Sequence, residues 1–445
     1  MNPNTPKQLI LQGHSRPIKD IHFTQSGDFI LTGSNDRNVI MWNAVTGEKH
    51  KTFAHSAAVN IILLTKDDSL MVTGDNTGSV YIWDTTGGVL LKQIEQDPTL
   101  CVRSIHLSHD DSLLMILYAG RMKGAKSFIN VYKLQDIMDY PGEEEKVIEN
   151  IKPANNNHNV STHSKPIFSN TSGMMKMPGG VAATPKIKHV VISETCTKVV
   201  PIKTFECKTP DTKYMHARFA ISNNSILVSR EDGCLELINF LNGKIITESK
   251  FHNDIILDFD YNFQMGLILT ASRDGTACVI NFDTFQIVSK VHPQNPTRNL
   301  NACKLALVAN PEYLLMNAGS ANQGEIIVNT INDVNSLFEV ETKNKQDEII
   351  GAPNTQKIIK KEFIIAVLSG GQDSKLVTTT NAKEGGFEIL MYDAIDGNEM
   401  ANFLTHFGPV NTLAVKRNLL ASGAEDATVR LYNMDNYLFP IDKNK

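Results

Sequence analysis

Short apolar runs separated by polar turns recur along most of the chain. Residues 18–23 alternate apolar and polar positions, 29–32 and 39–42 are four-residue apolar runs, and 49–53 is a weaker, more polar fourth. Runs this short, with period-two alternation, predict strands rather than helices, because successive strand side chains face opposite sides of a sheet. The pattern restarts at His55, 41 residues after His14. Four strands per unit at that period predict repeats in which each small sheet covers the face of the next.

A polar signal accompanies the strands. Asp36 follows His14 by 22 residues, Thr32 precedes Asp36 by four, and Trp42 follows it by six. The spacing recurs as His55, Thr73, Thr77 and Trp83, with Thr77 in place of the acid. It recurs as His252, Thr270 and Asp274, with Ile280 in place of the aromatic, and as His406, Ser422, Asp426 and Tyr432, with a His–Asp gap of 20. These residue types form a donor–acceptor chain from indole N–H to hydroxyl to imidazole to carboxylate. Each polar group is satisfied by the next, so the chain can sit inside a sheet without an unpaired-group penalty. A Ser/His/Asp catalytic triad uses the same types, but a nucleophile needs an open pocket and does not recur in repeat after repeat. The tetrads are therefore expected to be structural. Period, strand count and tetrads together predict an all-β fold, a seven-bladed WD40 β-propeller.

Not every unit is well preserved. The third reads as strands at 101–107, 113–117 and 128–134 without a His–Asp pair. The fourth spans about 215–251, with Asp232-Gly233 in a turn and 235–238 as a strand, and the sixth begins near Asn299. Residues 8–12 are expected beside 429–432 as the outer strand of the last blade, which closes the ring through the N-terminal strand. One propeller domain over 7–440 then carries two insertions. Residues 139–198 hold Pro141, Pro153, Pro166, Pro178 and Pro185, the acidic run 143–145 and the asparagines 155–157, a composition expected to be largely disordered. Its last part reads as strands at 187–192 and 199–205, with Pro201 suited to the outer edge of blade three. Residues 320–362 form a charged insertion within blade six, strand-like at 325–331.

Composition narrows the function. Lys+Arg 43 against Asp+Glu 48 leaves a net charge of −5, which offers no footprint for salt-driven phosphate binding, so little direct nucleic-acid contact is expected. The six cysteines are scattered, without a C-x-x-C pair or metal-ligand spacing, and no cofactor or metal is expected. The first residues lack the basic and apolar regions of a signal peptide, and no apolar run reaches bilayer length. A reducing cytoplasm is the expected compartment, without membrane attachment. His158 and His163 lack a third ligand nearby, and the basic run 357–361 reads as a solvated face. Gly370-Gly371-Gln372 spells a tripeptide used in peptidyl-tRNA hydrolysis, but after the strand 364–368 it reads as a turn with positive-φ glycines. No enzyme activity is expected.

Particular stretches point further. Gly370-Gly371-Gln372, Val377-Thr378-Thr379-Thr380, Gly386-Phe387-Glu388 and His406-Phe407-Gly408-Pro409-Val410-Asn411 resemble the WD-repeat (I) subunits of eukaryotic translation initiation factor three, as does the opening Ile10-Leu11-Gln12-Gly13-His14. The resemblance covers residues 7–138, 199–319 and 363–440. Ser369, Ile389 and the short tail at Tyr437-Leu438-Phe439 depart from the family pattern, and the two insertions have no family counterpart. What the resemblance implies is a non-catalytic scaffold that supports assembly on the small ribosomal subunit and mRNA recruitment. Its implied partners are the B subunit, through a C-terminal helical segment, and the G subunit. Asn281, Asp283, Gln372 and Asp373 are the candidate contacts for that helix, since amides and carboxylates can hydrogen-bond arginines on its face. Another WD-repeat adaptor, of the serine-threonine-kinase-receptor-associated type, is the alternative; the run after Gly-Gly-Gln speaks against it.

Residues 139–186 are expected to be dispensable for folding, because loop-closure entropy changes slowly with length. Limited proteolysis should nick this segment first and leave the fragments associated, and a chain lacking it should melt as wild type does. Aggregation of the deletion variant would count against this.

Overall fold

The structure, a computed structural model, describes residues 8–122, 125–140, 199–209, 212–220, 223–293, 299–309, 362–372, 386–434 and 438. These form seven four-stranded antiparallel sheets. Strand β1 (Leu9–Leu11) precedes blade one, which is β2 (Ile18–Phe23), β3 (Phe29–Ser34), β4 (Asn38–Asn43) and β5 (Lys49–Ala54). Blade two is β6 (Val59–Leu64), β7 (Leu70–Asp75), β8 (Val80–Asp84) and β9 (Val89–Ile94). Blade three is β10 (Leu100–Leu107), β11 (Leu113–Gly120) and β12 (Ser127–Lys133), then helix α1 (Leu134–Met138) and the outer strand β13 (Lys203–Glu206). Blade four is β14 (Tyr214–Phe219), β15 (Ser225–Arg230), β16 (Cys234–Asn239) and β17 (Ile245–Lys250). Blade five is β18 (Ile256–Asn262), β19 (Leu267–Ser272), β20 (Ala277–Asn281) and β21 (Gln286–Val291). Blade six is β22 (Asn299–Ala309), β23 (Glu362–Gly371), β24 (Glu388–Asp393) and β25 (Glu399–Leu404), and blade seven is β26 (Val410–Lys416), β27 (Leu419–Ala424) and β28 (Val429–Asn433) completed by β1.

Burial explains the run lengths seen in the sequence. The second and third strands lie between two neighbouring sheets and are buried on both faces, so β3, β11 and β19 read as continuous apolar or small residues. Outer strands such as β5 and β17 face solvent and turn polar. The core is distributed between blades: Leu31, Met41 and Phe53 pack on Ile62, Met71 and Trp83, and Ile18, Ile30 and Ile40 pack on Leu11, Ala421 and Leu431. Close approach of adjacent sheets is set by small residues near the ends of second strands. A Cβ on Gly74 would lie 2.5 Å from Val102, and one on Gly423 would lie 2.6 Å from Ile18, both in the next blade's inner strand.

Polar ties cross every seam of the ring at the inner strands. Asp20 accepts the Ile62 amide at 2.7 Å, Asn60 donates to the Val102 carbonyl at 3.2 Å, and Ser104 donates to the Ala217 carbonyl at 3.1 Å. Arg218 donates to Asp260 at 2.9 Å, Asp258 accepts the Cys303 amide at 3.0 Å, and Asn301 donates to the Val410 carbonyl at 3.1 Å. Asn411 completes the circle by donating to the Ile18 carbonyl at 2.9 Å. A second set of ties joins the first-to-second strand turns. Asp68, Asp111 and Asn223 all take left-handed backbone conformations, with φ of 58°, 56° and 56°. Their side chains accept the amides of Gln25, Lys66 and His109 in the preceding blade. Asp and Asn tolerate this conformation better than most residues, which is why they recur there.

The expected closure is present: Leu9, Ile10 and Leu11 pair with Leu431, Arg430 and Val429. Other expectations need revision. The strand read through Leu134 ends at Lys133, and the chain turns into α1, where Leu134 and Ile137 are buried against Ile94 and Leu107. The outer strand of blade three starts at Lys203, two residues beyond Pro201, rather than at 199. The strands read at 187–192 and 325–331, His158, His163 and the run 357–361 lie outside the described residues. Glu362, read as the end of the second insertion, is the first residue of β23. Gly370 and Gly371 are not a turn but the end of β23, paired with Leu300 and Asn299. Only Gly371 has positive φ, at 136°. A Cβ on Gly370 would sit 1.9 Å from the Asn299 carbonyl oxygen, so close backbone approach requires this glycine.

Leu11 is 2% exposed and carries the closure strand's main apolar anchor. Leu11→Ala should cost about 2–4 kcal/mol and lower the midpoint of a single cooperative melt. A separate early transition in that variant would mean that the last blade is not coupled to the ring.

Candidate functional site

The residues of the first tetrad meet as their spacing implies. The Trp42 indole N–H donates to Thr32 Oγ1 at 2.8 Å, and the Thr32 hydroxyl meets His14 Nε2 at 2.8 Å. His14 Nδ1–H donates to Asp36 at 2.9 Å, and the same carboxylate accepts the amides of Ser15 and Asn38. Burial pushes the Asp36 carboxyl up, but His14 and these amides outweigh it and bring the group down to about 2. Blade seven repeats the arrangement: His406 bonds Ser422 at 2.8 Å and Asp426 at 3.0 Å. Tyr432 is buried and packs on Phe403, with ring centroids 5.4 Å apart.

The other blades solve the same problem with different side chains. In blade two Trp83 donates to Thr73 at 3.2 Å and Thr73 meets His55 at 2.7 Å, while His55 Nδ1–H turns to the Phe53 carbonyl. The acid missing at Thr77 is supplied two residues earlier. Asp75, fully buried, accepts the amides of Thr77 and Ser79 and the Tyr81 hydroxyl. In blade five Thr276 stands between the partners: His252 meets Thr270 and Thr276 at 2.8 Å each, and Thr276 donates to Asp274 at 2.7 Å. Blade four has an ionic network instead, in which buried Arg230 pairs with Asp232 and Glu236 and donates to Thr209 at 3.0 Å. Sequence reading missed this network. Its signal was a lone acid, Glu236, between Leu235 and Leu237 in an otherwise apolar strand.

The inner strands bring charged groups to the central channel. Arg218 pairs with Asp260 at 2.9 Å, and Lys304 lies 3.6 Å from Asp258. Burial raises Asp20 to about 6, although the Ile62 amide opposes the shift. Burial likewise lowers His106 to about 3, with Arg218 adding to the effect, so this imidazole is neutral at pH 7. Where the inner strands of blades one to five end, a cavity of about 390 Å3 opens between His22, His106, Arg218, Phe219 and Phe263. Among the described residues no group of three or more His, Cys, Asp or Glu is placed to hold a metal ion. The cations here face carboxylates and the histidines are kept neutral, an arrangement suited to holding blades together or binding rather than to proton transfer.

The candidate partner contacts among the described residues do not share a rim. In an antiparallel blade the first-to-second and third-to-fourth turns lie on one face of the propeller, and the second-to-third turns lie on the other. Asn281 ends β20 and caps a third-to-fourth turn, accepting the amides of Asp283 and Thr284 at 3.0 and 2.9 Å. Gln372 follows β23 in a second-to-third connection, and so faces the opposite side. Asp373 lies outside the described residues. A single straight helix lying on one face therefore does not reach both Asn281 and Gln372.

Seven four-stranded sheets, four of them with buried His–hydroxyl chains, define the class: a seven-bladed WD-repeat β-propeller. The family described as WD domain, G-beta repeat matches residues 6–43, 47–84 and 397–433, which fall in blades one, two and seven. Along nearly its whole length the chain is similar to proteins named eukaryotic translation initiation factor 3 subunit I. The one from Kluyveromyces lactis is 24% identical over 437 residues, covering 97% of this chain and 93% of that protein. Those from Schizosaccharomyces pombe and Neurospora crassa are 23% and 22% identical, covering 97% and 99% of this chain and 98% and 96% of their own length. The resemblance read from the last blades thus extends from end to end.

Trp42→Ala should cost about 3–5 kcal/mol and Asp36→Ala about 1–3 kcal/mol, by leaving the buried His14 donor unpaired. Thermal melts of both variants test this, and wild-type stability combined with lost function would refute a structural role.

Acid should destabilise the ring. His55 and His252, lowered to about 4 chiefly by burial, and His106, lowered to about 3, bind protons in the unfolded chain before the folded one. Their stabilising contribution is complete above about pH 6.5 and is lost as pH falls toward 4. Asp20, raised to about 6, acts in the opposite sense over part of that window. His106→Gln should therefore reduce the loss of stability between pH 6.5 and 4.5 by up to about 1.4 kcal/mol per pH unit. Denaturant titrations across that range are the measurement, and an unchanged slope would show that His106 titrates normally.

Proposed function

We propose that this chain is a non-catalytic scaffold subunit of a eukaryotic translation initiation factor 3 assembly, acting in the cytoplasm. The observation that carries the reading is the end-to-end similarity to proteins of that name, with both chains covered almost completely. The physical reading agrees with it. A propeller displays two faces of loops on a rigid ring, and the paired charges of the channel serve its cohesion. On this reading the partners are the B subunit, through a C-terminal helical segment, and the G subunit. The complex supports assembly on the small ribosomal subunit and mRNA recruitment, with nucleic-acid contact left mainly to other subunits because this chain carries a net charge of −5. Asp283, exposed on the third-to-fourth turn of blade five, is the contact assigned to the helix; Gln372, on the opposite face, is not part of that contact.

Affinity purification of the tagged chain from its own cells should recover initiation factor 3 subunits in near-stoichiometric amounts after nuclease treatment. Recovery of a different complex, such as a receptor-kinase assembly, would replace this reading. With recombinant proteins, Asp283→Lys should weaken capture of the C-terminal segment of the B subunit by about tenfold or more without lowering the melting temperature. Undiminished capture would move the helix off this turn.

A further inference from the structure

Among the described residues, several of the exposed apolar side chains lie in the segment leading into β13 and in the neighbouring turn and outer strand of blade four. Val200 and Ile202 lead into β13 and are 81% and 45% exposed. Across the groove, Leu241, Ile245 and Ile246 in the third-to-fourth turn and outer strand of blade four are 72%, 40% and 56% exposed. The two sides are joined at the groove floor. The Phe205 and Phe240 rings stand 5.9 Å apart, and Lys203 donates to the Leu241 carbonyl. A cleft of about 270 Å3 runs between β13 and the turn, lined by Phe205, Tyr214, Ile238 and Leu241.

The rim of this cleft is basic. Lys203 lies over the Phe240 ring at 5.2 Å, Lys208 donates to the Gly243 carbonyl at 3.1 Å, and Lys244 follows in the same turn. Glu206 is the one acid among the cleft-lining residues. Two of the three ammonium groups are held in place by backbone carbonyls, and an ammonium has three N–H donors, so each keeps donors for an incoming carboxylate. In addition, β13 is the last of the described strands of its sheet, so its outer edge lies beside the apolar side chains. Clusters of exposed apolar groups rimmed by charge mark interaction sites, and the sign of the rim selects the partner.

We propose that the cleft between blades three and four is a docking site for a partner polypeptide segment in which apolar side chains are flanked by Asp or Glu. Val200, Ile202, Leu241 and Ile246 cover the apolar side chains of that segment, and Lys203, Lys208 and Lys244 bind its carboxylates. The site is separate from the blade-five turn assigned above to the helix. It deepens the scaffold reading by giving the propeller a second place to hold a neighbour, and the identity of the assembly rests on that reading.

The test is zero-length carbodiimide cross-linking of the purified native complex, since this reagent joins lysine amines only to carboxylates in contact. Lys203, Lys208 and Lys244 should be linked to Asp or Glu within an apolar-containing segment of another polypeptide. With that polypeptide made recombinantly, Leu241→Glu combined with Ile246→Glu should weaken its binding about tenfold or more, and so should Lys208→Glu combined with Lys244→Glu. All four positions are exposed, so the melting temperature should stay near wild type. Links to acids of the same molecule, to a second copy of this chain or to nothing would overturn the proposal. Undiminished binding by well-folded variants would do the same. If the linked partner belongs to an assembly unrelated to translation initiation, the functional reading falls while the docking site stands. If the expected complex is recovered but these lysines are unlinked, only the docking site falls.

Discussion

No blade of this protein has a core of its own. A four-stranded sheet buries one face only when another sheet covers it, and in a propeller that cover is always the next blade. The ring must therefore close, and everything else depends on that closure. The tie between β1 and β28 joins residues more than four hundred positions apart in the chain. Asn411 then binds the Ile18 carbonyl across the same seam, as other side chains do at the remaining six. Hydrophobic packing supplies most of the cohesion, but it is non-directional. The polar ties at the inner strands fix how each sheet sits against its neighbour.

The tetrads serve a related need within the blades. Turns at the ends of buried strands leave backbone and side-chain polar groups away from water, and each must find a partner. Blades one and seven use histidine bridging a hydroxyl and an aspartate. Blade two moves the carboxylate to Asp75, blade five inserts Thr276, and blade four replaces the histidine with Arg230 between two carboxylates. The constraint is satisfaction of buried polarity, and several side-chain sets meet it. That is why some blades lose the repeat signature without losing the fold.

Closure frees the loops. With cohesion supplied by sheet faces and channel ties, the turns on both faces can vary at little cost to the core. Strands β12 of blade three and β22 of blade six, which precede the two longest connections in the sequence, both end on the face that carries the first-to-second and third-to-fourth turns. The basic, apolar cleft beside β13 lies where the chain re-enters blade three.

The sequence by itself determined the strand periodicity, the repeat length, the closing strand and the His–hydroxyl–Asp spacing of blades one and seven. Apart from the closing strand, which the need to complete the last sheet requires, each of these is either local or repeated. Alternation follows from the geometry of one strand, and His14–Asp36 spacing follows from one blade, so neither needs knowledge of the rest of the chain. The resemblance to initiation factor 3 subunits was legible for the same reason, in short runs such as Gly370-Gly371-Gln372. Tertiary structure alone decided what depends on residues brought together from different blades. Asn281 and Gln372 looked like neighbours on one rim because they follow consecutive blades, but antiparallel strands send their turns to opposite faces. Gly370 looked like a turn residue, yet it is required by the Asn299 carbonyl approaching from the adjoining strand. The channel pairs Arg218–Asp260 and Lys304–Asp258 were invisible because their partners come from different sheets. Contacts between sheets depend on where the ring places each blade, and no local spacing records that.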